Sequence, residues 1–310
     1  MLIFLLRALA KMAVTLFVIV TIVFFATRMS GDAIDFIGGD ALDAQSRAEL
    51  IVYYGLREDM VTQYWRFLRG MIEGEFGLSL IERRPVTTIF LERVGPTLQL
   101  VGTAILVTLV IAIPAGVYAA IRRRSNGAKA VMTGAFIGYA TPNFVMATLL
   151  LLVFSYWLRL LPSAGNGSWA HFIMPVTALS LTYIAALIRY TRNATLDVLG
   201  QDYLRTARAK GLPERTVITR HAMRNTLITV LSVFGLMVTA LVSAGAVVIE
   251  TVFSWRGIGD LLVTAAIRRD YPVLQFGVLA VASAVIVINI LTDIAYALVD
   301  PRVRLGARTS

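Results

Sequence analysis

The chain has 310 residues, of which 57% are hydrophobic and only 15% are charged, and its formal net charge is +10. This composition is too apolar for an ordinary soluble domain of that length, and the long apolar runs argue against the short alternating segments of a transmembrane β-barrel. The absence of cysteine excludes disulfides, thiol catalysis and cysteine-ligated metals. Only two histidines occur, His171 and His221, so a histidine-rich metal or proton-relay site is not expected.

Several apolar runs are long enough to cross a bilayer core of about 30 Å as helices, and we infer six spans in all. They cover residues 11–27, 97–121, 130–158, 172–187, 227–250 and 273–298. The sequence therefore predicts an all-α membrane protein with six transmembrane helices. The first run follows Arg7 and Lys11 and could be a secretory signal, but residues 24–29 offer no convincing small-residue cleavage site. We therefore expect an uncleaved N-terminal anchor at 1–28.

Basic residues are distributed unevenly between the two sides of this predicted topology. With the N-terminus inside, more than half of the 29 lysines and arginines fall in inner segments, while most acids fall in outer segments. An excess of lysine and arginine marks the cytoplasmic side of a membrane protein. Both termini, including the tail at 300–310, are therefore predicted to be cytoplasmic. The positive charge is explained by topology and does not require a nucleic-acid partner.

The polar segment at 29–96 is predicted to form a small extracytoplasmic subdomain of short helices. Within it, the stretch 63–72 is amphipathic, and a helix would place Trp65, Leu68 and Ile72 on one face. That face would pack on the membrane core or its interface. The alternative is a partly ordered linker. Residues 97–299 would then form a five-helix core that carries a cytoplasmic loop at 190–226.

The loop at 190–226 contains its own folding signals. Asp202 can cap a helix, residues 203–210 are good helix formers, Gly211 can supply a left-handed stop, and Pro213 can start a second helix. These signals predict a short helix–turn–helix that lies under the bundle, with one small apolar face and one strongly basic face. The alternative is an ordinary loop whose positive charges only set the topology.

Residues 201–212 resemble the cytoplasmic coupling loop, or EAA loop, of ABC-importer permeases. Gly211 matches the family's glycine and Ala207 its second alanine, while Arg205 and Thr206 stand at the general glutamate and first alanine, as in the dipeptide/oligopeptide branch. Other landmarks of that branch recur in order: Tyr54-Gly55-Leu56, Gly74-x-Phe76-Gly77-x-Ser79, Arg84-Pro85-Val86, Glu92-Arg93-x-x-Pro96-Thr97, Leu161-Pro162, Pro175, Glu250 to Trp255, Asp270-Tyr271-Pro272-Val273 and Asp300-Pro301-Arg302. Ala33 and Arg256 depart from it, since the branch usually has proline at both positions.

The resemblance implies a permease subunit with the type I ABC-importer fold that moves peptides or similar small polar solutes by alternating access. It implies a second homologous permease, two cytoplasmic ABC ATPase subunits and an extracytoplasmic solute-binding protein as partners. Relatives of this branch carry dipeptides, longer peptides, glutathione, nickel chelates or opines. The residues implied to couple the chain to its ATPases are Asp202, Arg205, Thr206, Ala207, Lys210, Gly211, Pro213 and Glu214.

The chain contains no G-x-x-x-x-G-K-[ST] stretch, so we expect ATP and Mg²⁺ on the partner ATPase subunits and no cofactor here. No nucleophile–base or metal constellation suggests an enzyme. A gradient-driven transporter usually needs buried ionisable groups. Asp293 alone lies near a span interior, where an ion pair or a cap is the simpler explanation. A gradient-driven transporter and a non-transporting membrane scaffold remain the alternative functions.

Polar residues within the spans are candidates for the solute pathway. Thr141, Pro142 and Asn143 are predicted to break the third span near its middle, where Pro142 frees backbone carbonyls. Asn143 and Asn289 could form transient hydrogen bonds with a peptide backbone, and helix-to-helix packing is their alternative role. Glu250, at the outer end of the fifth span, could bind a peptide's amino end or close an outer gate. A solvated interfacial acid is the alternative there.

Overall fold

The computed structural model describes residues 2–29, 45, 49, 52 and 58–299. The named elements of that part of the chain are all helices, which confirms the predicted class. They are α1 (Leu2–Met29), α2 (Met60–Glu73), α3 (Val86–Ile121), α4 (Asn126–Ala140), α5 (Asn143–Leu150), α6 (Ala170–Leu199), α7 (Asp202–Ala209), α8 (Met223–Ala240), α9 (Ala246–Val252), α10 (Ile258–Ile267) and α11 (Tyr271–Val299).

Three π-helical stretches extend these helices. Leu151–Trp157 continues α5, Val217–Ala222 leads into α8, and Leu241–Gly245 joins α8 to α9. A single turn at Glu214–Thr216 precedes the second stretch, so the chain is helical without interruption from 214 to 252. Because π-helical turns are rare and occur often at functional sites, they mark this long helix for closer inspection.

Five helices are long and apolar enough to cross a membrane, and a bent pair supplies the sixth predicted span. The bent pair consists of Asn126–Ala140 and Asn143–Trp157, which meet at an angle of 101°. The predicted break at Thr141 and Pro142 is therefore confirmed, but the bend is far sharper than the simple interruption that we expected. The third span is two half-helices that differ in direction by more than a right angle.

Several helix ends differ from the expected ones. Helix α3 begins at Val86, directly after Pro85, so the expected boundary near residue 97 falls inside a helix. Helix α6 continues to Leu199, well past the expected end near 187, and its C-terminal part buries Thr191 and Thr195. Predictions on the following residues lie outside the described residues: Ala33, Tyr54-Gly55-Leu56, the side chains of Arg7 and Asp293, and the tail 300–310 with Asp300-Pro301-Arg302.

The described chain forms two compact units, of which the first comprises Leu98–Trp255 and the chain from Val285 onward. Helix α6 is central to this unit and packs against α4, α5, α8 and α9. Glycines permit close approaches between the helices of this unit. A Cβ on Gly235 would lie 1.9 Å from Thr292 Cγ2, and one on Gly245 would lie 2.8 Å from the Tyr183 hydroxyl.

The second unit comprises Leu2–Thr97 and Arg256–Ala284. In it, α2 packs on α1 through the rings of Tyr64 and Phe67, whose centroids lie 5.2 and 5.3 Å from that of Phe24. Trp65 and Ile72 remain 65% and 88% exposed. The aromatic cluster around Phe24 thus packs the neighbouring face of α2 on α1, and the face predicted to pack on the membrane core or its interface stays exposed on the protein.

A buried acid holds the loop between α2 and α3. The Asp270 carboxylate accepts hydrogen bonds from the Ser79 hydroxyl and, at 3.1 Å, from the Leu80 N–H. Asp270 is buried, and burial raises the pKa of its carboxyl group although these hydrogen bonds oppose the shift. Residues some 190 positions apart in the chain therefore fix this loop.

Candidate functional site

Helix α7 begins at Asp202, the residue predicted to cap it, and is therefore capped one residue earlier than expected. Gln201 has the extended backbone of an N-cap residue, with φ −77° and ψ 145°, and its side chain makes no capping bond. Asp202 is instead the first helical residue, where its negative charge suits the positive end of the helix dipole. Its Oδ1 accepts a hydrogen bond from Arg205 at 3.3 Å. The prediction that Asp202 caps the helix is therefore wrong by one position.

The turn after α7 has the predicted backbone. Gly211 adopts a left-handed φ of +78°, and its N–H donates to the Arg208 carbonyl at 2.9 Å. A Cβ at Gly211 would meet no atom within 4 Å, so the position needs glycine for its conformation and not for space. Pro213, with φ −61°, precedes the next helical turn as its N-cap.

The predicted second helix of the loop is not a separate element lying under the bundle. The turn that begins at Glu214 runs through Val217–Ala222 directly into α8. The physical reason is that no helix-breaking residue follows Pro213 until well into the fifth span, so the backbone continues its helical hydrogen bonds. Helix α7 is therefore joined through this turn to one uninterrupted helix, to which a displacement of α7 would be passed.

Helix α7 is anchored by its apolar face. Leu204 is fully buried and Ala207 nearly so, and both pack with Val217 and Ala222 in one cluster. Ala207, which was predicted as a coupling residue, therefore faces the protein interior. The other predicted coupling residues are exposed: Asp202, Arg205, Thr206, Lys210, Gly211, Pro213 and Glu214.

A bidentate ion pair braces the turn. Arg208 donates from Nε to Glu214 Oε2 at 3.0 Å and from Nη2 to Oε1 at 2.8 Å, and this hydrogen bonding raises the pKa of Arg208. Glu214 was predicted as a coupling residue, whereas its partner Arg208 was not. Six-residue spacing across a Gly-x-Pro turn was the signal that could have identified Arg208. Arg205 and Lys210 complete a surface that is exposed, basic and backed by a packed core.

The helix break at 141–142 has a defined geometry. Both the N–H and the hydroxyl of Thr141 donate to the Ile137 carbonyl, at 3.1 and 2.9 Å, which closes α4. Pro142 then serves as the N-cap of α5. The Thr182 hydroxyl on α6 donates to Asn143 Oδ1, which supports the helix-packing role for this amide.

The remaining pathway candidates lie on other elements. Asn289 on α11 accepts a hydrogen bond from the Thr239 hydroxyl on α8 at 2.7 Å, again a helix-to-helix contact. Glu250 on α9 has 0% exposure, so the alternative of a solvated interfacial acid is wrong. Thr141, Pro142 and Asn143 lie together because they are consecutive in the chain, whereas Glu250 and Asn289 lie on two other helices.

Two family models match the chain. One, described as "Binding-protein-dependent transport system inner membrane component", matches residues 112–305, and its N-terminal companion matches residues 1–101. The glutathione transport system permease protein GsiC of Escherichia coli K12 is 37% identical over 305 residues, covering 98% of this chain and 99% of that protein. The Salmonella paratyphi A protein of that name is equally similar.

Solved structures agree at the level of the fold. The MetNI methionine ABC transporter in inward-facing conformations matches with a TM-score of 0.60 and 16% identity, covering 70% of this chain and 98% of that one. An amino acid ABC transporter crystallised with histidines matches with a TM-score of 0.51 and 16% identity, covering 70% and 95%. The chain belongs to the binding-protein-dependent transport system inner membrane component family, and it is a multi-pass inner-membrane permease subunit of an ATP-driven ABC importer of the peptide branch.

Proposed function

We propose that this permease carries peptides or similar small polar solutes, of the size of a tripeptide such as glutathione, into the cell by alternating access. The observation that carries this proposal is the match to a glutathione permease along nearly the whole of both chains. Because the similarity extends over 98% of this chain, it supports a related solute as well as a shared fold.

In this proposal, the exposed surface of α7 docks on an ABC ATPase subunit. Leu204 and Ala207 hold the helix against the protein, and the Arg208–Glu214 ion pair stiffens the turn that follows the helix. Force applied at Arg205 or Lys210 would pass through the turn into the helix that runs to 252. ATP and Mg²⁺ bind on the partner chains, where hydrolysis takes place.

The complete transporter would contain this chain, a second homologous permease, two ABC ATPase subunits and an extracytoplasmic solute-binding protein. Both termini and the α7 segment would lie in the cytoplasm, with 29–96 on the outer side. The break at Thr141, Pro142 and Asn143, together with Asn289, would border the solute pathway. Glu250, which is buried here, would belong to a closed outer gate that exposes its carboxylate on opening.

Reconstitution of the complete complex in liposomes tests the proposal. We expect uptake of a labelled tripeptide that requires ATP inside and the binding protein outside. Uptake by this chain alone, driven by an ion gradient, would instead favour a secondary transporter. Stable assembly with its partners without any solute flux would favour a scaffold.

Docking can be tested separately because the chain has no cysteine. Lys210→Cys should form a cross-link with an ATPase subunit in intact membranes, whereas Arg123→Cys, in the loop before α4, serves as the control. Reporter fusions between residues 125 and 129 and after 215 should report the cytoplasm, and fusions near 40 the outside. A reporter at 40 found inside would overturn the orientation.

A further inference from the structure

Arg189 occupies an unusual position for a charged side chain. It lies on the membrane-crossing helix α6, roughly 15 Å along the axis from the end of that helix at Leu199. Its guanidinium carbon lies 3.9 Å from the centroid of the Tyr139 ring. Tyr139 itself lies about 20 Å along α4 from Asn126. The pair is therefore far from the loop at 122–125 and from the turn at Gly200.

The guanidinium of Arg189 retains unused hydrogen-bonding capacity. Its Nε is shielded from solvent and has no hydrogen-bond partner among the described residues. The ion pairs in that part of the chain do not include Arg189. An arginine that only serves topology extends its head group to the membrane interface. This one is stacked on a ring, and an ionisable group within a membrane helix is by default a candidate functional group.

The stacking geometry leaves the binding edge of the guanidinium available. A ring under the guanidinium contacts its face, whereas a carboxylate binds in the plane, through two parallel N–H donors. Tyr139 holds the guanidinium of Arg189 over its ring, and a cation–π contact involves no hydrogen-bond acceptor. Asparagine and lysine lack this combination of planarity and charge, so the pair is suited to a planar anion.

The helix break at 141–142 also presents a positive electrostatic potential, as the guanidinium of Arg189 does. Thr182 precedes Arg189 by two turns on one face of α6, and its hydroxyl binds Asn143 at the start of α5. The N-cap residue of α5, Pro142, makes no side-chain capping bond. The first N–H groups of α5 have no intrahelical partner and form the positive end of its dipole. One face of α6 thus carries Arg189 and, two turns earlier, contacts the positive N-terminus of α5.

We propose that Arg189, held by Tyr139, binds the carboxylate of the transported solute during its passage through the membrane. This inference rests on the proposed function, because peptides carry a free carboxylate at one end. The Arg189 side chain gives the permease a preference of its own for anionic ends, independent of the binding protein.

The complete reconstituted complex tests this with two probes, the tripeptide Ala-Ala-Ala and its C-terminal amide, each loaded on the binding protein at saturation. The binding protein is identical in every arm, so a change in the ratio of the two uptake rates reports the permease. Arg189→Gln should lower uptake of the free acid by about tenfold, the effect of losing roughly one charge-assisted hydrogen bond, and leave the amide unchanged. Arg189→Lys, which keeps the charge but loses the planar fork, should recover only part of the rate.

Tyr139→Leu should give an intermediate loss, because the guanidinium keeps its charge but not its orientation. Arg123→Gln removes the same charge from an exposed loop and should leave the ratio at the wild-type value. Copurification of the ATPase subunits with each variant separates loss of binding from loss of assembly.

An unchanged acid-to-amide ratio in assembled Arg189→Gln complex would overturn the role of Arg189 while the peptide importer stands. A defect that disappears when zwitterionic phosphatidylcholine replaces the anionic lipids would assign the arginine to an anionic lipid head group and overturn the proposal equally. If wild-type complex hydrolyses ATP but transports neither probe, the proposed solute class fails and this inference fails with it.

Discussion

Helices α7 and α2 are both short, amphipathic and predicted from the sequence, yet only in α7 does the predicted apolar face pack on the protein itself. The apolar side of α7 buries Leu204 and Ala207, as its pattern indicates. In α2 the predicted face leaves Trp65 and Ile72 in the open, while Tyr64 and Phe67 contact α1.

The difference lies in where each helix finds its partner. The neighbours of α7, Val217 and Ala222, follow within the next turns of the chain, so local sequence decides the packing. The partner of α2 is Phe24, some 40 residues earlier, and the loop after α2 is held by Asp270 from near the other end of the chain. Hydrophobic periodicity identifies an apolar face, but an aromatic residue brought close by the fold decides which of two faces is buried.

The largest effect is expected at the turn that makes α7 a local structure. Gly211→Val forces a β-branched residue into a left-handed backbone, which costs roughly 1–3 kcal/mol at a strained site. We expect normal membrane insertion but a loss of solute-stimulated ATP hydrolysis and uptake of at least about tenfold, if α7 is misdirected. Reconstituted transport assays measure both.

Gly211→Asn is the matched control, because asparagine tolerates left-handed backbone and should retain most activity. No atom crowds the position, so a similar loss in both variants would indicate that the surface, and not the conformation, requires glycine. Normal uptake by Gly211→Val would remove the coupling role of this turn.

A smaller effect on transport, but a clear loss of local stability, is expected at the anchor of α7. Leu204→Ala should destabilise the packing of the helix by about 2–5 kcal/mol, since Leu204 is fully buried. The backbone around Arg205, Arg208 and Lys210 should then become accessible to trypsin. The exposed Thr206→Ala variant should show the wild-type cleavage rate. Equal rates for the two variants would mean that α7 is not held by its local apolar cluster.

The smallest effect is expected at Asp270, which holds the loop between α2 and α3 in the second unit. Asp270→Ala leaves the Ser79 hydroxyl and the Leu80 N–H without their acceptor, at a cost of about 1–3 kcal/mol. Hydrogen exchange of the Leu80 amide should accelerate accordingly. Protection retained in this variant would mean that the loop is fixed by other contacts.

The same amide should respond to pH. Because burial raises the pKa of Asp270, its contribution to stability is complete below the ordinary carboxyl pKa and is lost as the pH rises through the raised value. Protection at Leu80 should therefore decrease over that interval in the wild type. Asp270→Asn, which does not titrate, should abolish the pH dependence.

Much of the architecture could be predicted because it depends on local pattern. Apolar runs located the six spans, Pro142 located the break, and Gly211 with Pro213 located the turn after α7. The 101° bend could not be predicted, since a proline only removes a hydrogen bond and neighbouring helices determine the new direction.

The positions of Arg189 and Glu250 could not be predicted for another reason. The position of Arg189 could not be predicted, because helix α6 extends farther than its apolar run and no pattern in the chain pairs Arg189 with Tyr139. Burial of Glu250 was likewise unpredictable, because its position at the end of an apolar run is compatible with either solvent or a packed interior.

The sequence by itself determined the membrane class, the number of spans and the helix–turn segment of the coupling loop, because a bilayer imposes length and polarity on each span and backbone conformation is local. Only the tertiary structure decided which face of α2 is buried, how sharply the third span bends and which ring lies beneath Arg189. These depend on side chains that are distant in sequence, and a close-packed interior selects among alternatives that the local pattern leaves equal.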